Sequence, residues 1–123
     1  PTHIVTRMST DMLAVANRDV TAALRFIRRH ANRLIQVDDV VEATSVSRRV
    51  LEKRFKATLR RSVHREIRRV RVNSIIQLLV GTDMSITDIA GHCGFAGVEH
   101  ISRYFRKETG LSLREYRKRN APR

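Results

Sequence analysis

The apolar positions of this chain fall into short groups at helical spacing, separated by turns of small residues. Val20, Ala23, Leu24, Ile27 and Ala31 recur every three or four residues with Arg25, Arg28 and Arg29 on the opposite face, which predicts a helix capped by Asp19 or Thr21. Residues 1–18, with Ile4, Val5, Met8, Met12 and Leu13, show no clean period and are expected to form a linker or the tail of an upstream domain. A short second helix is predicted over about residues 37–43, and Thr44 and Ser45 then turn the chain. Ser47 caps a third helix whose buried stripe is Leu51, Phe55 and Leu59. Ser62 opens a long helix reaching about Val80, with Val63, Ile67, Val70, Ile75, Ile76, Leu78 and Leu79 as its apolar complement and Gly81 as its C-terminal cap. At ~1.5 Å per residue it would span roughly 25–30 Å.

Ser85 caps a fifth helix, Gly94 sits where a turn needs a left-handed backbone, and Phe95 is expected to plug the core behind that turn. A sixth helix runs from about Val98 to Glu108, buried through Ile101, Tyr104 and Phe105 and ended by Gly110. A seventh, near residues 112–118, packs Leu113 and Tyr116, and Pro122 forbids continuation. The expected fold is all-α, with seven helices. Two helix-turn-helix subdomains (19–61 and 81–123) are joined by one long helix (62–80).

The two halves echo each other at an offset of about fifty residues. Val46 to Lys56 is matched by Phe95 to Arg106, and in each copy a short apolar segment (Val37, Val40, Val41, then Ile86, Ile89, Ala90) leads through a turn into a basic helix. That is a helix-turn-helix written twice. Two such units can place two helices in successive major grooves, about one helical turn apart (~34 Å), without a partner subunit. The chain is therefore expected to act as a monomer.

Charge names the partner. The net charge is +13, and 21 of the 25 basic residues are Arg, the side chain that forks onto phosphate and onto guanine edges. Eleven basic residues lie between Arg48 and Arg71 against two Glu, whereas residues 1–47 hold six. Double-stranded DNA is the expected partner. Cys93 is the single cysteine, no apolar run approaches the ~20 residues that span a bilayer, and no signal peptide opens the chain, so a cytoplasmic, nucleoid-associated setting with no membrane partner is expected. The chain begins with Pro rather than Met, and residues upstream are expected.

His92, Cys93 and His100 invite a metal-site interpretation, but three candidate ligands within nine residues fall short of a closed zinc site, and Cys93 falls on the buried stripe. No nucleophilic triad, carboxylate pair or Gly-rich phosphate loop is present. Neither catalysis nor a cofactor is expected.

The run Ile86-Thr87-Asp88-Ile89-Ala90, then Gly94-Phe95, then Ser102-Arg103-Tyr104-Phe105-Arg106-Lys107-Glu108-Thr109-Gly110, then Tyr116-Arg117, resembles the signature of the AraC/XylS transcription regulators. The resemblance covers residues 19–119 and implies the same seven-helix fold. Within that family, Leu51-Glu52-Lys53-Arg54-Phe55-Lys56, with His64 and Ile67, is similar to bacterial activators of xylose operons. So is the leader Arg7-Met8-Ser9-Thr10-Asp11 with Phe26-Ile27-Arg28-Arg29-His30-Ala31. The resemblance implies a role in sugar catabolism, contact with RNA polymerase, and a xylose effector bound by an upstream domain. Departures are Leu113 where the family usually has Pro, Glu99-His100-Ile101 in place of a Ser-aromatic-aromatic run, Ser45 in place of a turn Gly, and Arg60 in place of a closing Gly.

A recognition helix turns one face inward and one into the groove. In the third helix, Leu51 and Phe55 fix the inward face, leaving Arg49 and Lys53 together at i and i+4 with Glu52 beside them. Arg49 is suited to guanine O6 and N7, Lys53 to base or phosphate, and Glu52 either to cytosine N4 or to orienting Arg48 or Arg49. In the sixth helix the exposed candidates are Arg103 first, with Glu99 and Ser102 carried over from the family's pattern, and His100 at the margin. Arg48, Lys56, Arg60, Arg61, Arg65, Arg68, Arg106 and Lys107 are expected at phosphates. Two other readings compete: a non-specific architectural DNA-binding protein, and a helical interaction module docking on RNA polymerase.

Overall fold

The computed structural model describes residues 7–120, with side chains from Arg18 onward. Seven helices follow in order: α1 (Arg7–Arg29), α2 (Val37–Glu42), α3 (Arg48–Leu59), α4 (Val63–Gly81), α5 (Ile86–His92), α6 (Val98–Thr109) and α7 (Leu113–Arg119). No strand occurs among the described residues. The chain forms two compact units, one of residues up to 28 together with 35–66, the other of residues 29–34 together with those from 67 on. The residues of α4 are divided between them.

Two expectations need correction. Helix α1 begins at Arg7, ahead of the cap expected at Asp19 or Thr21, so residues 7–18 are helical, while residues 1–6 lie outside the described ones, as do Pro122 and its neighbours. Nothing between Arg7 and Arg29 breaks a helix, since Gly and Pro are absent there. Asp19, expected as a cap, is interior and buried, and its carboxylate instead accepts from Arg54 of α3. The second correction concerns Gly81, which closes α4 as its last helical residue without a left-handed conformation. The end of α4 is capped by side chains. The Thr82 hydroxyl donates to the Leu78 carbonyl at 2.6 Å, and Arg117 of α7 donates to the carbonyls of Leu79 at 2.9 Å and Thr82 at 3.2 Å.

The remaining caps follow the expected chemistry. Ser47, Ser62 and Ser85 each accept from the amide three residues on, at 3.1–3.3 Å. Ser112 and Glu115 form a reciprocal capping box at the start of α7. Those hydrogen bonds from Ser112 hold the Glu115 carboxyl below the usual carboxylate range. The cap is therefore complete at neutral pH and is lost as pH falls through that lowered value.

In the first unit Val20, Ala23, Ile27, Val40, Leu51, Phe55 and Val63 are buried. In the second, Val72, Ile75, Leu79, Ile89, Ala90, Cys93, Ile101, Phe105 and Leu113 form one cluster, with Phe95, Tyr104 and Tyr116 against it. The Phe105 and Tyr116 rings meet edge to face at 5.4 Å.

Gly94 has a φ of +79°, and a Cβ there would lie 2.5 Å from the Asn32 carbonyl oxygen and 3.0 Å from the Arg33 Cα. Both backbone conformation and close approach require glycine. The ends of α3 and α6 share one geometry but not one residue: Arg60 (φ 63°) and Gly110 (φ 79°) both donate back to the carbonyl four residues earlier, at 2.9 and 2.8 Å. A left-handed L-residue costs about 1–2 kcal/mol, offset in part by the ~0.5–1 kcal/mol of extra chain entropy that Gly loses on folding. Arg60→Gly should therefore stabilise the protein by up to about 1 kcal/mol in urea unfolding, and Gly94→Ala should destabilise it by more than about 2 kcal/mol. A destabilising Arg60→Gly would show that the arginine side chain supplies more than the strain removes.

Candidate nucleic-acid interface

Each turn-and-helix unit is built around a helix that buries one stripe and leaves the rest outside. Leu51 and Phe55 of α3 and Ile101 and Phe105 of α6 are 0% exposed. With those stripes fixed, Arg48, Arg49, Lys53 and Lys56 are exposed on α3, and Glu99, His100, Arg103, Arg106 and Lys107 on α6, while Ser102 is half-buried. Arg49 and Lys53 share a face at i and i+4, as do Glu99 and Arg103. Of the candidates for base contact, Arg49 with Lys53 and Glu99 with Arg103 are thus paired on one face, one pair per unit.

Not every predicted contact residue is free. The Oε1 of Glu52 accepts from the Val63 amide at 3.1 Å, which turns its carboxylate toward the start of α4 rather than to a base, to Arg48 or to Arg49. Arg61, expected at a phosphate, lies 3.2 Å from the Oε1 of Glu66, whose side chain is 1% exposed. Arg68, expected at a phosphate, is forked onto Glu108, with its Nε 2.6 Å from that carboxylate. Arg61 and Arg68 neutralise buried or half-buried carboxylates, because an unpaired buried charge costs several kcal/mol. Arg60 and Arg65 are exposed. Arg48 meets Asp38 at 3.2 Å and Arg106 approaches Glu115 at 3.9 Å, but both pairs are well exposed, and such contacts contribute little.

Sequence reasoning overlooked Arg71, which it counted only within the basic run. This guanidinium is 3% exposed, lies 4.1 Å from the Phe95 ring centroid and 5.5 Å from that of Tyr104, and donates to the Cys93 carbonyl at 3.1 Å. Phe95 and Tyr104 themselves pack at 5.4 Å, tilted by 60°. One cation thereby joins α4, the α5–α6 turn and α6. Burial pulls the Arg71 guanidinium below its ordinary value and pushes the Cys93 thiol and Tyr104 hydroxyl above theirs. A signal was present in the spacing: Ile67, Arg71, Ile75 and Leu79 recur every fourth residue, so Arg71 stands in register with the apolar stripe. Cys93 is buried, whereas His92 and His100 are exposed, and no cluster of three metal-ligating side chains occurs among the described residues.

Arg71→Ala should destabilise the protein by about 3 kcal/mol, combining a lost charge-assisted hydrogen bond and a lost cation–π contact. Arg71→Lys should recover less than half of that, since an ammonium cannot serve ring and carbonyl in one plane. Thermal unfolding of the two variants decides this, and an Arg71→Ala variant as stable as the parent would contradict the assignment.

Comparison with known proteins agrees with this geometry. A family model described as a helix-turn-helix domain matches residues 40–119. The xylose operon regulatory protein of Escherichia coli K12 is 33% identical over 121 residues, covering 98% of this chain and 31% of that protein. The chain thus spans about a third of the length of the curated relatives it matches. An AraC-type DNA-binding regulator structure from Chromobacterium violaceum superimposes with a TM-score of 0.74 at 30% identity, covering 88% of this chain and 96% of that one. The DNA-binding domain of AdpA, solved in complex with a target DNA, does so with a TM-score of 0.67 at 26% identity, covering 85% and 90%. Fold, motifs and matched length agree, and the chain belongs to the AraC/XylS family of helix-turn-helix DNA-binding domains.

Proposed function

We propose that this chain is the sequence-specific, double-stranded DNA-binding part of a bacterial, cytoplasmic transcription regulator, an activator of sugar catabolism whose effector, a xylose-like sugar, is bound by an upstream domain. The observation that carries it is the pairing of a fully buried stripe with an exposed basic face on both α3 and α6. The DNA complex of AdpA supports the assignment of duplex DNA as partner, and the E. coli xylose operon regulator supports the sugar.

In this reading α3 and α6 each enter a major groove of the same duplex. Arg49 and Lys53 read one set of base edges, and Glu99, Ser102 and Arg103 read another. Arg48, Lys56, Arg60, Arg65, Arg106 and Lys107 meet phosphates, which give register and affinity but no sequence information. Arg61, Arg68 and Glu52 leave the contact set, since each is engaged within the protein. RNA polymerase is a further partner of the whole regulator.

Single-residue variants separate reading from anchoring. Arg49→Ala and Arg103→Ala should each relax preference at different base positions, by roughly 1–3 kcal/mol of discrimination. Arg65→Ala should weaken all duplexes alike and lower the salt slope by about 0.9. Competition binding at several salt concentrations measures both quantities. Equal loss on every duplex from all three variants would favour the non-specific architectural alternative, and weak binding with no salt slope would favour the interaction module.

A further inference from the structure

We propose that Glu52 is a positioning residue for base recognition, tying α3 to the first turn of α4 and so fixing the angle at which Arg49 and Lys53 are presented. The proposal rests on α3 being a base-reading helix. Glu52 follows the fully buried Leu51 and is itself half-buried, on the flank of α3 between its inward stripe and its exposed basic face. Its Oε1 accepts from the amide of Val63 at 3.1 Å. Val63 is the first residue of α4, so that amide has no acceptor within its own helix. A carboxylate on a free amide at the start of a long helix makes a charge-assisted bond, favoured further by the helix dipole. The same corner is fixed by the left-handed Arg60 and by the Ser62 cap, which leaves α3 little freedom to pivot while the bond is made.

The second unit shows what the corner is like without this group. Leu51 and Ile101, Phe55 and Phe105, Arg60 and Gly110, and Ser62 and Ser112 correspond at a constant offset, which pairs Glu52 with Ser102 and Val63 with Leu113. A serine is too short to reach across. There the structure has a pocket of about 150 Å³ whose lining includes Ser102, Ser112 and Leu113. Helix α6 is held instead near its far end, through Glu108 and Arg68 of α4. The two units therefore hold their exposed helices by different devices: α3 by Arg54 on Asp19 of α1 and by the Glu52 bond, which sits between Arg49 and Lys53 in sequence. Release of this bond is expected to shift both reading residues together, and productive recognition tolerates only about 10–20° of error in side-chain placement.

The test is competition binding of the whole chain against single-base variants of its preferred duplex, for the parent, Glu52→Ala, Glu52→Gln and Val63→Pro. Hydrogen exchange at the Val63 amide is followed in the first three. Glu52→Ala should lower discrimination roughly tenfold across every base position that depends on Arg49, leave those that depend on Arg103 intact, and expose the Val63 amide to exchange. Glu52→Gln keeps an acceptor oxygen and should stay within about twofold of the parent. Val63→Pro removes the donor while keeping Glu52, at a helix position where proline is tolerated, and should reproduce Glu52→Ala.

Loss confined to a base position that depends on neither Arg49 nor Lys53 would make Glu52 a direct reader and overturn the proposal. So would intact discrimination in a folded Glu52→Ala variant, or equal loss at both sets of positions. If Glu52→Ala does not fold, a folded Val63→Pro with undiminished discrimination overturns it equally. If the parent itself has no base position dependent on Arg49, the base-reading role of α3 fails, and the positioning role falls with it.

Discussion

The burial of four side chains decides what this protein can present. Leu51, Phe55, Ile101 and Phe105 are wholly removed from solvent, and each such burial contributes roughly 1.5–3 kcal/mol. A helix has one direction inward, so fixing two residues at i and i+4 fixes the azimuth of every other side chain on it. Arg49 with Lys53, and Glu99 with Arg103, face outward because the alternative rotation would bury charge and expose phenylalanine. Any recognition chemistry on α3 and α6 is thus a consequence of core packing, one step removed.

Arginine does two kinds of work here, and the distinction lies in register rather than in charge. Arg54, Arg61, Arg68 and Arg71 are engaged by Asp19, Glu66, Glu108 and the Phe95–Tyr104 pair respectively. Arg49, Arg65 and Arg103 are exposed. The count of 25 basic residues therefore overstates the cations available to a polyanion, whereas the net charge of +13 already discounts the three arginines paired with carboxylates. Substituting a member of the first group removes a neutralising partner and lowers stability, whereas substituting one of the second leaves the fold intact. Alanine scans that score only DNA affinity would confuse the two.

Much of this was legible in the sequence, and the rest was hidden for definite reasons. Periodicity gave seven helices, and the small residues Ser47, Ser62, Ser85, Gly94, Gly110 and Ser112 marked their ends, because capping and left-handed turns are local chemistry. Charged residues standing on buried stripes were harder. Asp19 falls in register with Ala23 and Ile27, and Arg71 with Ile67 and Ile75, yet each finds its partner on a distant segment that no local pattern names. Local pattern alone therefore offers Asp19 as a cap and sets the start of α1 too late, and it offers Glu52 as a reading group although its carboxylate turns to α4. Arg60 shows the converse: a missing glycine did not remove the left-handed turn, because the surrounding caps hold the backbone there.

The central claim is that two differentiated helices read bases within one chain. In vitro selection from a random duplex pool, with this chain alone at near-physiological salt, tests it most directly. Two short enriched blocks are expected, one erased by Arg49→Ala and the other by Arg103→Ala. Tight, salt-sensitive binding with no enriched sequence would contradict it.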